Sequence, residues 1–220
     1  KLNEAENFPY HDYPLNQIGG VHINTIEFLS DMHPIRNKSE AGDFIKRVNL
    51  IKSVYKGITN DLEKQSNAGI FPPEFVYVRV IEQLDDFINY SYEEHPLYSQ
   101  FVKKIEMLDL NDSEKEDFKN EIKSAIDESV TPGFKILKSF MLKTQKKANK
   151  NHGIWSQPNG DEYYKLKIKT FTTTDYTPEE IHQMGLSEVE RISSRMKEIL
   201  ITLGYDKTKT VGELMNELNE

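Results

Sequence analysis

An all-α fold, an array of long antiparallel helices joined by short loops, is what this sequence predicts, and three observations carry the prediction. Apolar residues recur at three-to-four spacing through most of the chain. Capping-box signals stand at Thr177-Pro178-Glu179-Glu180 and again at Thr210 and Glu213. Between the periodic stretches lie turn and breaker residues, as at Gly19-Gly20, His33-Pro34, Gly69 and His95-Pro96.

Taken in order, Lys1 to Pro14 has no apolar period and reads as an extended lead-in. Val21 to Met32 is expected as a short helix with Ile23, Ile26 and Leu29 on one side. Ser39 then caps a long helix, with Phe44, Ile45, Val48, Ile51, Tyr55, Ile58 and Leu62 on one face and Gly69 as its stop. Pro72-Pro73 opens the next, with Tyr77, Val80, Ile81, Leu84, Phe87 and Ile88 as its stripe. Val76, Val78 and Val80 alternate as a strand would, but the pattern continues at helical period for two more turns, which decides for helix. After His95-Pro96 a short helix spans Tyr98 to Met107.

Asn111-Asp112 starts the longest element, with Phe118, Ile122, Ile126, Val130, Leu137, Phe140 and Met141 in one register. Pro132 sits inside it. A proline there removes a backbone hydrogen bond and crowds the carbonyl four residues back, so a kink is expected near Glu128. The basic end of this helix reads as a solvated C-terminus favoured by the macrodipole, ahead of an anion site. Gly153 to Gly160 is a turn-rich loop, and Asp161-Glu162-Tyr163-Tyr164 begins a short helix before a threonine run. In the capped helix that follows, Ile181, Gly185, Val189, Ile192, Met196, Ile199 and Leu203 form one apolar face, and Gly204 is the left-handed stop. No low-complexity linker divides residues 1–220, so a single helical domain is expected. Leu214, Met215 and Leu218 open a last helix that reaches Glu220 without a closing signal, which is the expectation for a fragment of a larger protein.

Composition bounds the chemistry. A net charge of −8 with the basic residues dispersed disfavours nucleic acid as a partner. With no cysteine, disulfides and Cys-ligated metal centres are excluded within these residues. No apolar run is long enough to span a bilayer. The six histidines never fall three or four residues apart, so no helix offers a two-histidine metal face, and no catalytic residue or metal ligand is expected in this segment. The acidic pairs Asp85-Asp86, Glu93-Glu94 and Glu179-Glu180 are sequence neighbours, which do not face each other on a helix. His182 stands beside the apolar position Ile181 and reads as a hydrogen-bonded boundary histidine ahead of a lone metal ligand. The aromatic loop from Trp155 to Tyr164 is the best binding candidate, because Trp and Tyr join an apolar body to a polar tip. The alternative is that Trp155 wedges the loop onto the core.

The stretch GIWSQPNGDEYYKLKIKTFTTTDYTPEEIHQMGLSEVERI resembles the hallmark block of the bacterial family labelled domain of unknown function 885. YPLNQIGGVHINTIEFLSDMHPI and AGIFPPEFVYVRVIEQL are similar to two further stretches of that family, so the resemblance covers nearly the whole chain. Members resemble helical zinc metallopeptidases, many of them exported, often as lipoproteins. Their metal site is of the H-E-A-x-P-G-H type and lies downstream of the block matched here. The resemblance therefore implies the helical, cleft-forming portion of a zinc-metallopeptidase-like protein acting on peptides, with zinc held elsewhere in the full-length chain and an extracytoplasmic location. It makes Tyr163, Tyr164 and His182 cleft candidates beside Trp155, and the remainder of the same polypeptide the first partner. A non-catalytic helical binding or scaffold module is the alternative.

Overall fold

The structure is a computed structural model that describes residues 6–219. The expectations for Lys1 to Ala5 and for the chain's end at Glu220 lie outside the described residues. Among those described, the regular elements are helical and the all-α expectation holds; the extended pairing of Pro73 with Asn149 is an isolated bridge. The chain divides into two compact units, one of residues 6–160 and one that includes residues 161–219.

The first unit carries α1 (Val21–Glu27), α2 (Lys38–Asn49), α3 (Ile51–Asn67), α4 (Glu74–Asn89), α5 (Pro96–Glu106), α6 (Asp112–Ala125) and α7 (Thr131–Thr144). Asn111 caps α6 in a reciprocal box with Glu114. The cap of α2 is Asn37, two residues before the expected Ser39. Its side chain accepts from the Glu40 amide at 3.0 Å, and the Glu40 carboxylate takes the Arg36 amide at 2.8 Å. The Asn-x-x-Glu spacing thus wins over a serine inside the first turn. α3 ends in a Schellman turn: Gly69 is left-handed (φ 78°), its amide bonds Ser66 O, and the Ile70 amide bonds Gln65 O. His95 caps α5, its Nδ1 accepting from the Leu97 amide at 3.2 Å.

The long helix expected from residue 39 onward is two helices that break at Leu50. The break is matched by a feature across the core. Ahead of Pro132 the chain widens into a π segment, Ile126–Val130, closed by the Thr131 amide bonding Ile126 O five residues back. Widening answers the crowding that the proline ring imposes on the preceding turn. It also brings Ser129 to the α2–α3 junction, where its hydroxyl accepts from the Lys52 amide (3.1 Å) and donates to Asn49 O (2.9 Å). Two backbone groups freed by the break are thereby satisfied. One turn on, a Cβ at Gly133 would lie 3.3 Å from Lys52 Cα, so α7 begins directly against α3. Ser129→Ala is expected to cost about 1–3 kcal/mol, the usual penalty for orphaning buried polar groups. Urea unfolding measures it, and an unchanged midpoint would mean that solvent satisfies the junction.

Packing centres on α7, which lies against α3 and α4. Phe134 is fully buried, stacked on Phe87 at 4.9 Å and edge-on to Tyr55 at 5.5 Å. A second aromatic set, Phe44 stacked on Phe101 (4.9 Å) with Phe118 edge-on, joins α2, α5 and α6. Val76, Tyr77, Val80 and Leu84 are buried on α4, as helical period requires.

The second unit carries α8 (Gly160–Thr172), α9 (Pro178–Thr202) and α10 (Val211–Leu218). Thr170 and Thr172 lie within α8, where their hydroxyls bond the carbonyls of Leu166 and Ile168 four residues back. Thr173 turns left-handed (φ 57°) and ends the helix. Thr177 and Glu180 form the expected box on α9, Thr210 and Glu213 the one on α10. Gly204 closes α9 in a second Schellman turn, with the Tyr205 amide on Leu200 O. The apolar face of α9 is where the structure departs from a buried stripe. The buried residue of α9 is Leu200, on the edge next to that face, while Val189, Ile192, Ile199 and Leu203 on the face are exposed.

Candidate functional site

Residues 149–158 form a loop held on three sides. Asn149 exchanges backbone bonds with Pro72 and Glu74: its amide donates to Pro72 O (3.2 Å), and its carbonyl accepts from the Glu74 amide (3.0 Å). Its side-chain amide donates to Ser156 Oγ at 2.6 Å. Gln157 is buried and fully engaged. Its Nε2 donates to Tyr13 Oη (2.9 Å) and Phe71 O (2.6 Å), and its Oε1 accepts from the Phe71 amide (3.3 Å). His11 Nε2 donates to Pro158 O at 2.7 Å. Gln65 anchors the facing segment, donating to Tyr10 O and Asp12 O. These cross-links fix the loop's backbone. That matters because a loop that must be ordered on binding weakens affinity, and a preordered one does not.

On this mount Trp155 is 63% exposed, so it is no wedge into the core. The indole nitrogen lies so close over Gly153 that a Cβ there would overlap it, which restricts the ring. Exposed Phe75, in the first turn of α4, meets His152 edge-on at 5.2 Å. Lys147 stands 5.7 Å over the Phe71 ring, and Lys143 pairs with Glu63 at 3.5 Å, which is how the basic end of α7 is accommodated. The unit therefore presents an exposed Trp155, restricted by its closeness to Gly153, on a loop that also brings His152 against exposed Phe75. Such a surface suits flat apolar or aromatic groups and extended polar backbone.

The remaining candidates belong to the second unit. Tyr163 and Tyr164 are adjacent on α8 and meet different surroundings. Tyr163 is buried, with Lys167 Nζ 5.0 Å over its ring, and Tyr164 is exposed. His182, in the first turns of α9, is exposed, and among the described residues no hydrogen bond joins it to either tyrosine. Zinc sites take three or four ligands. Among the described residues no group of three or more His, Asp or Glu is placed to hold a metal ion, so the residues here do not fit a zinc site.

Sequence reasoning misses His11, Gln65 and Gln157, the side chains that fix the loop. A lone Gln or His in an aperiodic stretch carries no spacing signal. Only the nearness of residues 10–15, 70–73 and 149–158 gives them a role.

The family model described as bacterial protein of unknown function (DUF885) matches residues 1–220. No match is found among curated proteins. Of solved structures, the chain is similar to the crystal structure of "the putative lipoprotein from Colwellia psychrerythraea", with 32% identity and a TM-score of 0.88. The match covers 94% of this chain and 36% of that one, so the chain spans little more than a third of that protein's length. No helix among the described residues is long and apolar enough to cross a membrane.

Proposed function

This chain belongs to the bacterial family DUF885, and from that premise we propose that it is the helical, cleft-forming portion of a larger zinc-metallopeptidase-like protein acting on peptides. The observation that carries the reading is the exposed Trp155, held on a loop whose neighbouring Gln157 is cross-linked to Phe71 and Tyr13. A restrained aromatic of this kind binds an extended peptide at small entropic cost. Zinc and the groups that activate water belong to other parts of the full-length polypeptide in this proposal, since the donors here do not fit a metal. The work of these residues is to bind and orient. Similarity to the Colwellia protein supports an extracytoplasmic, lipid-anchored location as part of the same proposal.

In the full-length polypeptide, Trp155→Ala is expected to raise KM for peptide hydrolysis about tenfold or more with kcat little changed, the pattern of lost uniform binding. An unchanged KM removes Trp155 from the cleft. His182→Ala is expected to lower turnover while leaving stability within about 0.5 kcal/mol, because the side chain is exposed. Unchanged turnover would leave His182 as surface. Residues 1–220 alone are expected to show no zinc-dependent hydrolysis. Full-length protein that binds peptides but never cleaves them would replace the reading with a non-catalytic binding module.

A further inference from the structure

Resting on the reading of the chain as part of a larger protein, we propose that the exposed face of α9 is a docking surface. Its occupant is an apolar helical segment of the same polypeptide, outside residues 1–220. Ile181, Val189, Ile192, Met196, Ile199 and Leu203 fall within an arc of roughly 80° and extend over about 33 Å of helix at its standard pitch. From Val189 to Leu203 the spacing alternates three and four, the repeat that lays one helix along another at a small crossing angle. Val189 is 63% exposed and Leu203 65%, whereas the neighbouring edge of the helix carries buried Leu200. Single exposed apolar side chains are ordinary, but Val189, Ile192, Ile199 and Leu203 exposed in one row, with half-buried Ile181 and Met196 in line, mark a contact surface.

Two further features fit a helix of stated chemistry. Gly185 lies in the same row, and a Cβ there would meet nothing within 4 Å. A glycine in mid-helix weakens the helix without any compensating contact in this chain, and it suits the close approach of another backbone. One flank of the row is charged, but its charges are paired along α9 itself, Glu188 with Arg191 at 2.8 Å and Arg195 with Glu198 at 2.9 Å. The partner then needs an apolar face and no matching charges. Well over half of the Colwellia protein lies beyond the matched region, so a homologue of this fold has polypeptide to spare for the role. That favours the same chain over a second copy.

The test uses the product of the complete gene. Residues 1–220 lack cysteine, so Val189→Cys, Ile192→Cys and, on the opposite side of α9, Ser194→Cys each add one reporter to this segment. N-ethylmaleimide labelling, read by mass spectrometry of the α9 peptide, is expected to be slower at positions 189 and 192 than at 194 by at least about a hundredfold, the protection of a closed contact. The difference should vanish in urea. Oxidative footprinting of the unsubstituted protein repeats the measurement if a cysteine variant fails to fold: half-buried Met196 should be oxidised at least about tenfold more slowly than exposed Met184, which lies off the row.

Equal labelling at all three positions overturns the proposal, as does an intact product of only 25.6 kDa. Protection that appears only in a dimer assigns the face to a second copy and overturns it equally. Zinc-dependent peptide hydrolysis assayed on the same preparation separates the two claims. A protected face without hydrolysis keeps the docking surface and rejects the peptidase reading, and hydrolysis with rapid labelling does the reverse.

Discussion

Acidification from pH 7.5 to 4.5 is expected to destabilise the unit of residues 6–160, because burial there disfavours the charged form of three histidines. Burial holds His22 below the ordinary imidazole range, against a partial offset from its hydrogen bond to Gln83. Burial likewise lowers His33, helped by the positive charge of Arg47, which donates to its Nε2, and of Lys104, whose ammonium bonds Ser30 O (2.6 Å) and His33 O (2.9 Å). Glu40 opposes this from the other side. His95 is pushed down to about 4 by burial, beside Phe87 and Tyr90 and with its Nδ1 committed to the Leu97 amide.

In the unfolded chain each of these histidines takes its proton near pH 6.5, so below that the unfolded state binds protons that the native state refuses. Stability is complete above about pH 6.5 and falls as the pH drops towards the folded value. For His95 alone the loss at pH 4.5 is about 2–3 kcal/mol. His95→Asn keeps a side-chain acceptor at the cap but cannot titrate. Between pH 7.5 and 4.5 it should lose about 2–3 kcal/mol less than the parent in urea unfolding, whatever its stability at pH 7.5. Parallel pH profiles for the two proteins would show that His95 is protonated in the native state.

Much of this fold could be read from local rules, and the exceptions share a physical form. The boxes at Thr177, Thr210 and Asn111 and the stop glycines 69 and 204 are short-range devices, complete within six residues, and all stand where spacing puts them. Pro132 likewise announces its disturbance, because the clash is with its own preceding turn. The break at Leu50 has no local sign. It exists with Ser129, 79 residues away in sequence, filling the junction, and periodicity runs straight through it. The loop that carries Trp155 is similar. Its aromatic content was legible, but its rigidity comes from Gln157, His11 and Asn149, each satisfied by a distant segment. The stripe of α9 was legible as a stripe, since period shows that a face is apolar without showing what covers it.

Phe134→Ala is expected to cost about 3–5 kcal/mol, the range for an aromatic removed from a closed core, and so a large share of what a domain of this size has to lose. The reason lies in the irregular geometry around it. The π segment and Gly133 bring the first turn of α7 against α3, which leaves Phe134 wholly inside between Phe87 of α4 and Tyr55 of α3. A ring held on both sides by other rings leaves a void that helix movement cannot close, because α7 is already at contact distance on its Gly133 side. Phe134→Leu keeps most of the volume and should cost no more than about 1.5 kcal/mol. Urea midpoints of the two variants measure the difference. If both lose the same small amount, the core around α7 relaxes freely, and the close seating of α7 on α3 is not what holds this unit together.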